Sequence, residues 1–377
     1  MVLTITLASV ALLSLALGLW QLAVAWRFPL HRRAKNNDFT PPVSVLKPLK
    51  GCDAETAACL ESWLTQEYPA TVQVLFGVAS ADDPVCGIVR ALLAAHPQRE
   101  ARLVICPETL GPNAKVSTLV QLERHARHKF VVISDADVRV PHDFLGQLLA
   151  PLRDPQVGLV NCLYRLANPS NLAMRWEAFA VNADFWSQVL QAQSLQPLNF
   201  ALGAVMATTR AHLASIGGLA SLVDYLADDY QLGNRLARSG ARVELSPAVA
   251  ECWTAAMTWR EVWGHQLRWA RTIRICRPVP YFFSLLSNAT LWPLVWLLGQ
   301  PTWPAAAGCA FCLMVRMGAG FYFEAKLTRR RDFNSLWLAP VKDLLQAILW
   351  ALAFTGNHVT WRGERCRVQA GGQLVKQ

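Results

Sequence analysis

The sequence predicts an α/β protein: a mostly parallel, doubly wound sheet with one membrane helix before it and two to three after it. Three observations lead there. Between Pro41 and about Ser246, short β-rich runs alternate with helix-like stretches. On both sides the chain turns apolar over lengths that approach a bilayer's thickness. Finally, 53% of the 377 residues are hydrophobic and only 16% are charged, below the roughly 25% charged usual for soluble domains.

Residues 3–26 carry no charge and run straight into Arg27-Phe-Pro-Leu-His-Arg-Arg. Residues 1–26 therefore read as a retained anchor whose basic side, with Arg27, Arg32, Arg33 and Lys35, faces the cytoplasm. In the next region, 43–46, 72–78, 103–106, 130–134 and 157–162 read as buried strands, and 54–66, 84–95, 115–126 and 142–152 as the helices between them. Such alternation implies parallel pairing, and ligands of such sheets bind beyond the carboxyl ends of the strands. The domain extends over 41–277. Further on, 281–298 and 303–323 read as a hairpin of spans joined by Gly299-Gln-Pro-Thr, which Lys326-Leu-Thr-Arg-Arg-Arg returns to the cytoplasm. The stretch 336–354 contains Lys342 and Asp343, so it either crosses, re-enters or lies in the interface. A membrane region is thus expected over 278–356 and a basic tail over 357–377.

A formal charge of +10 suits nucleic acid, anionic headgroups or a phosphorylated substrate. The basic residues cluster beside the apolar runs, and no helix-turn-helix, zinc-finger or RNA-binding pattern is present, so nucleic acid is not an expected partner. The ten cysteines lack a framework spacing and read as reduced, small apolar residues of a cytoplasmic domain. Cys309-x-x-Cys312 lies in an apolar stretch without a second pair, which argues against a metal or redox site.

Ser134-Asp135-Ala136-Asp137 follows an apolar strand. An Asp-x-Asp on an extended turn aims two hard oxygen ligands at one ion, Mg²⁺ or Mn²⁺, which bridges the phosphates of a nucleotide. Asp82-Asp83-Pro84 follows an earlier strand and either caps a helix or holds a base or ribose. Asp228-Asp229 opens a helical pattern; adjacent buried carboxylates disfavour joint ionisation, which raises one pKa toward that of a general base, whereas the bland alternative is a favourable helix dipole. His265-Gln-Leu-Arg268-Trp269-Ala-Arg271-Thr-Ile-Arg274 reads as an amphipathic helix at the membrane, its arginines either clamping a diphosphate or snorkelling into headgroups. Lys47, after the first strand, and Lys115, in Gly111-Pro-Asn-Ala-Lys115, are candidate phosphate contacts.

Taken in order, these segments resemble the inverting glycosyltransferases of families 2 and 21, most closely the ceramide glucosyltransferases and their bacterial hopanoid-glycosylating relatives. The resemblance runs from about Val43 to Arg277. It is carried by Val-Ser-Val-Leu-Lys-Pro-Leu-Lys-Gly, Asp-Asp-Pro, Gly-Pro-Asn-Ala-Lys, Ser-Asp-Ala-Asp, Leu-Ala-Asp-Asp-Tyr and Arg-Trp, recurring in register. It implies a GT-A fold, a UDP-sugar donor and transfer of a hexose to a lipid such as ceramide at the bacterial inner membrane. It also implies nucleotide binding by Asp83, metal or diphosphate binding by Asp135 and Asp137, base catalysis by Asp229, and an acceptor-side or diphosphate role for Arg268 and Trp269. One departure stands out. The family's motif usually begins with Gln or Arg three residues before its Arg, where this chain has His265, with Gln266 one position out of register.

Two alternatives stay near that reading: an N-acetylglucosamine transfer to a hopanoid polyol, which differs only in donor and lipid pocket, and a processive polysaccharide synthase, which needs more spans than this chain offers. A catalytically silent scaffold and a soluble oxidoreductase come from other classes. The intact acidic motifs oppose the first, and the lack of a Gly-x-Gly-x-x-Gly after the first strand opposes the second.

Overall fold

A computed structural model describes residues 2–33, 38–361 and 364–376; Lys35 and three positions of the 357–377 segment lie outside them. Eight strands form one sheet: β1 (Val43–Leu49), β2 (Val72–Val78), β3 (Glu100–Ile105), β4 (Phe130–Ser134), β5 (Val138–Arg139), β6 (Val157–Leu166), β7 (Val205–Thr209) and β8 (Arg242–Cys252), in the order β3-β2-β1-β4-β7-β6-β8-β5. Pairings within β3-β2-β1-β4 and between β6 and β8 are parallel, whereas β7 and β5 run antiparallel to their neighbours. The sheet is therefore mostly parallel, as its apolar runs imply.

Those runs look continuous because both faces of the sheet are covered. On β1, Val43, Val45 and Leu49 enter one apolar cluster with Leu60, Trp63 and Phe144, while Leu46 enters another with Leu119 and Leu122. This second cluster also contains Ala25, Phe323 and Leu327, so helices at both ends of the chain share a core with the sheet. Burial of that kind is the main source of stability, about 25 cal/mol per Å² of apolar surface.

Among the described residues, two helices are long and apolar enough to cross a membrane, Ile5–Arg27 and Trp303–Thr328. Lys326 Nζ donates to the Ala25 and Trp26 carbonyls at 2.6 and 2.9 Å, so the two helices end side by side and their basic flanks share one side of the molecule. The expected straight span over 281–298 is instead a pair, Pro278–Ser287 and Leu291–Gly299, bent by 58°. Asn288 is the reason: its side-chain oxygen accepts from Thr290 N and Leu291 N and so starts a new helix. The Asn288 amide nitrogen also donates to the Asp343 carbonyl at 2.7 Å.

Leu338–Ala353 packs against Leu172–Phe179 and Trp259–Cys276. Its Lys342 and Asp343 join a buried charge cluster: Arg316 donates to Asp343 and to Asp184, each at 2.8 Å, Lys342 pairs with Asp184, and Thr290 donates to Asp343. Cys309 and Cys312 are free thiols buried along Trp303–Thr328. The C-terminal segment forms a three-stranded antiparallel sheet, β9 (His358–Trp361), β10 (Glu364–Val368) and β11 (Leu374–Lys376), docked on residues 224–226 through Leu374 N to Asp224 O and Leu226 N to Gly372 O.

Candidate active site

The parallel register aligns the carboxyl ends of β1, β2 and β4, and the turns that follow them carry Gly51, Asp83 and Asp135. Asp83 ties two of these turns together. Its carboxylate accepts from Gly51 N at 3.0 Å and from Val85 N, at the head of the next helix, at 3.0 Å. Gly51 has φ +66, a backbone conformation that glycine adopts without strain.

Lys47 sits on the β1 face shared by Val45 and Leu49 and is 0% exposed. Its ammonium lies over the Trp63 ring and donates to Ser134 Oγ and to the Asp135 carbonyl. The direct phosphate contact expected of Lys47 is thereby corrected: a side chain sealed beneath the turn holds the backbone of Asp135 from behind. Burial lowers its pKa to about 8, with Asp137 opposing.

Lys115 is the junction of the site. Asn113 caps its helix by accepting from Val116 N, and it anchors the loop to the 223–225 segment through Asn113 N to Val223 O and Asn113 Nδ2 to Tyr225 O, at 2.8 and 2.7 Å. That bracket delivers Lys115 Nζ to Asp135 Oδ1 at 2.7 Å and to Asp228 Oδ2 at 3.1 Å. Burial works against the ammonium, yet Asp135 and Asp228 outweigh it and raise its pKa. Motifs about a hundred residues apart in the chain thus meet at one side chain.

Asp229 neighbours them. Burial, then repulsion from Asp228, pushes its carboxyl up to about 7. A Cβ on Gly203 would meet Asp229 Oδ2 at 2.8 Å, so only glycine leaves room for the carboxylate there. Gly203 precedes Ala204, whose carbonyl accepts from Asp135 N at 3.2 Å. On the other side of the Asp-x-Asp, burial and then Asp135 push the Asp137 carboxyl up to about 6. Two carboxylates that repel each other at the end of a strand fit a divalent cation. Among the described residues no group of three or more His, Cys, Asp or Glu side chains is placed to hold a metal, so the remaining ligands of such an ion would be phosphate oxygens and water.

Within the helix Trp259–Cys276, opened by a Thr258–Glu261 capping box, His265 Nδ1 donates to Glu177 at 2.6 Å and Gln266 Nε2 to the same oxygen at 2.9 Å. Trp269 packs on His265 and on Phe185, with ring centroids 4.7 and 6.2 Å apart.

The glycosyl transferase family 21 model matches residues 6–374. The chain belongs to glycosyl transferase family 21. It is a glycosyltransferase of GT-A fold. Ceramide glucosyltransferase 3 of Caenorhabditis elegans is 24% identical over 93% of this chain and 77% of its own. An N-acetylglucosaminyltransferase of Rhizobium meliloti is 25% identical over 62% of this chain and 55% of its own. Among solved structures, the mannosyltransferase PcManGT of Pyrobaculum calidifontis, in complex with GDP-Man and Mn²⁺, superposes with a TM-score of 0.52 at 23% identity, covering 90% of this chain and 99% of that one.

In this family 21 chain, the arginines after Arg268 do other work than the diphosphate clamp the spacing allows. Arg271 donates to the His358 carbonyl, and Arg274 to the Gly356 carbonyl and the Asn357 side chain, fastening the C-terminal sheet. Arg268, half-buried, stays one turn from His265 on the same helix face. Sequence reading passed over Asn113, Glu177 and Gly203. A helix cap, an isolated Glu and a lone Gly carry no pattern of their own, although the Gly-Pro-Asn-Ala-Lys segment did point at Asn113's neighbourhood.

Proposed function

We propose that this enzyme moves a hexose, glucose foremost, from a UDP-sugar to a hydroxyl of a membrane lipid such as ceramide, with inversion at the anomeric carbon. The observation that carries this reading is the convergence of Lys115, Asp135, Asp228 and Asp229. A carboxylate with a pKa of about 7 is half ionised near neutrality, where a base is most effective. Asp229 takes the acceptor proton as that oxygen attacks the anomeric carbon; the bond from that carbon to the β-phosphate oxygen breaks, and UDP leaves. Asp135 and Asp137 would hold a Mg²⁺ or Mn²⁺, which when bound would supply charge to offset the leaving diphosphate. Lys115 adds a fixed positive charge beside it. Asp83, fixed between two turns, is assigned the nucleoside, and Arg268 and Trp269 the diphosphate and acceptor side.

In domain terms, 1–26 anchors the chain, 41–277 is the catalytic domain, 278–356 is membrane-associated, and 357–377, read as a tail, closes on the 224–226 segment. Because both long spans end on one basic side, we place the catalytic domain in the cytoplasm, at a bacterial inner membrane. The Rhizobium relative favours a second reading, N-acetylglucosamine transfer to a hopanoid polyol. A processive synthase fits less well, since at most three membrane paths are present among the described residues.

The test is direct. Purified protein in detergent is offered a panel of UDP-sugars against ceramide and hopanoid lipids, with UDP release and glycolipid product measured. Turnover with UDP-glucose and ceramide is expected; no turnover with any lipid sinks both lipid readings.

A further inference from the structure

Glu177 belongs to none of the motifs. It lies in the helix Leu172–Phe179 and is 1% exposed. Its Oε1 accepts from both His265 Nδ1 and Gln266 Nε2, while Oε2 is buried without a hydrogen-bond partner among the described residues. A carboxylate left half satisfied in the interior costs stability that a neutral or apolar side chain of similar size would recover. A purely structural position has no use for that cost.

The consequence falls on His265. A neutral ring that donates from Nδ1 to Glu177 presents the Nε2 lone pair at its opposite edge. The His265 side chain keeps 28% of its surface exposed, so the ring is not sealed. It stands at the end of an aromatic run, Tyr164–Phe185–Trp269–His265, with centroid spacings of 5.6, 6.2 and 4.7 Å. The other end of that run, the Tyr164 phenol, lies within the field of Asp229, Asp135 and Asp137.

We propose that Glu177 is a positioning residue: it fixes the tautomer and the orientation of His265 so that Nε2 accepts a hydrogen bond from a hydroxyl of the acceptor lipid's headgroup. An arginine at this motif position can only donate; His265 in this tautomer accepts, and so selects acceptors that offer a hydroxyl beyond the one that reacts. This inference rests on the reading of the chain as a lipid glycosyltransferase.

Steady-state kinetics with varied lipid and varied UDP-sugar test it, on wild type, Glu177→Gln, His265→Ala and the double variant, with thermal unfolding as the check on folding. Glu177→Gln is expected to raise the acceptor KM about tenfold, the low end for loss of a residue that orients another, while the donor KM stays unchanged. In the His265→Ala background the same substitution adds nothing to the acceptor KM. An unchanged acceptor KM in Glu177→Gln, or an equal effect in both backgrounds, overturns the proposal. If Glu177→Gln lowers the unfolding temperature sharply, the His265→Ala single variant decides: an acceptor KM equal to that of wild type overturns the proposal, a tenfold rise with an unchanged donor KM supports it. Failure of the functional reading is separate and visible in wild type, as absence of lipid-dependent UDP release.

Discussion

Lys115 Nζ meets Asp135 Oδ1 at 2.7 Å, and from the same position it reaches Asp228 at 3.1 Å. One ammonium therefore neutralises the Asp135 and Asp228 motifs together. Lys115→Met leaves those carboxylates facing each other. Transfer is expected to fall about a hundredfold in kcat/KM, the usual scale for removing one preorganised charge, with the donor KM raised. Initial rates against UDP-sugar concentration check this, and an unchanged donor KM would remove Lys115 from the donor site.

Activity should follow the Asp229 carboxyl. Its pKa of about 7 lies above the ~4 of a free aspartate, and the base form is the deprotonated one, so kcat/KM rises with pH through about 7 and levels off above. The stability linkage has the opposite sense. For a raised carboxyl, the stabilising contribution is full below the unfolded value and is lost as pH rises through the folded one. Asp228→Asn removes the adjacent negative charge and is expected to move the rate midpoint to lower pH. Asp229→Asn should lose about 10²–10⁴ in kcat at every pH while still binding UDP. A pH–rate profile of each variant settles the assignment; a midpoint unmoved by Asp228→Asn counts against Asp229 as the titrating group.

Gly203 offers a test from the opposite wall. A methyl group there would stand 2.8 Å from Asp229 Oδ2, closer than contact permits, so Gly203→Ala must displace the carboxylate or the strand. Asp229 is the end of a short side chain and yields first. The expected result is a kcat reduced at least tenfold, as misplacement of a catalytic group by about 1 Å implies, with an unfolding temperature near that of wild type. A large thermal shift with normal kcat would mean that the backbone gave way instead.

Much of this architecture was legible beforehand. The strands at 72–78 and 130–134 were found to the residue because parallel strands covered on both faces read as unbroken apolar runs bounded by turn residues. β7 (Val205–Thr209) was not recognised: Val205-Met-Ala-Thr-Thr has little to separate it from a loop, and its pairing with β4 is fixed by tertiary context. The acidic residues were legible by type and order, but Lys47 was read as a ligand because nothing in Leu-Lys-Pro says that its ammonium turns inward under Trp63. The bend at Asn288 was missed for a related reason. Hydropathy counts residues and cannot see a side chain that caps a new helix inside an apolar run.

Metal dependence follows from Asp135 and Asp137. Two repelling carboxylates with no third acidic, His or Cys ligand among the described residues make an ion's affinity depend on the donor's phosphates. Chelation should abolish transfer, and Mn²⁺ or Mg²⁺ should restore it; Asp137→Asn should raise the metal concentration needed for half-maximal rate. Activity indifferent to chelator would end the metal role of both residues.

A buried charge cluster ties the helix Trp303–Thr328 to the segment that carries Asp184. Arg316, in the middle of Trp303–Thr328, is 9% exposed and bound to Asp184 and Asp343, which are 5% and 3% exposed. Asp184 immediately precedes Phe185, which packs on Trp269, so the cluster connects the helix Trp303–Thr328 to Trp269, proposed above for the acceptor side. Arg316→Leu leaves two buried carboxylates with Lys342 as the remaining cation of the cluster, and breaking a buried pair in this one-sided way costs about 3–5 kcal/mol. Thermal unfolding in detergent should show a large drop. Restoring neutrality with Arg316→Leu and Asp343→Asn together should recover part of it, since the penalty comes from uncompensated charge. If the double variant is no more stable than the single one, the guanidinium's packing on Phe179, and not the charge balance, holds this seam.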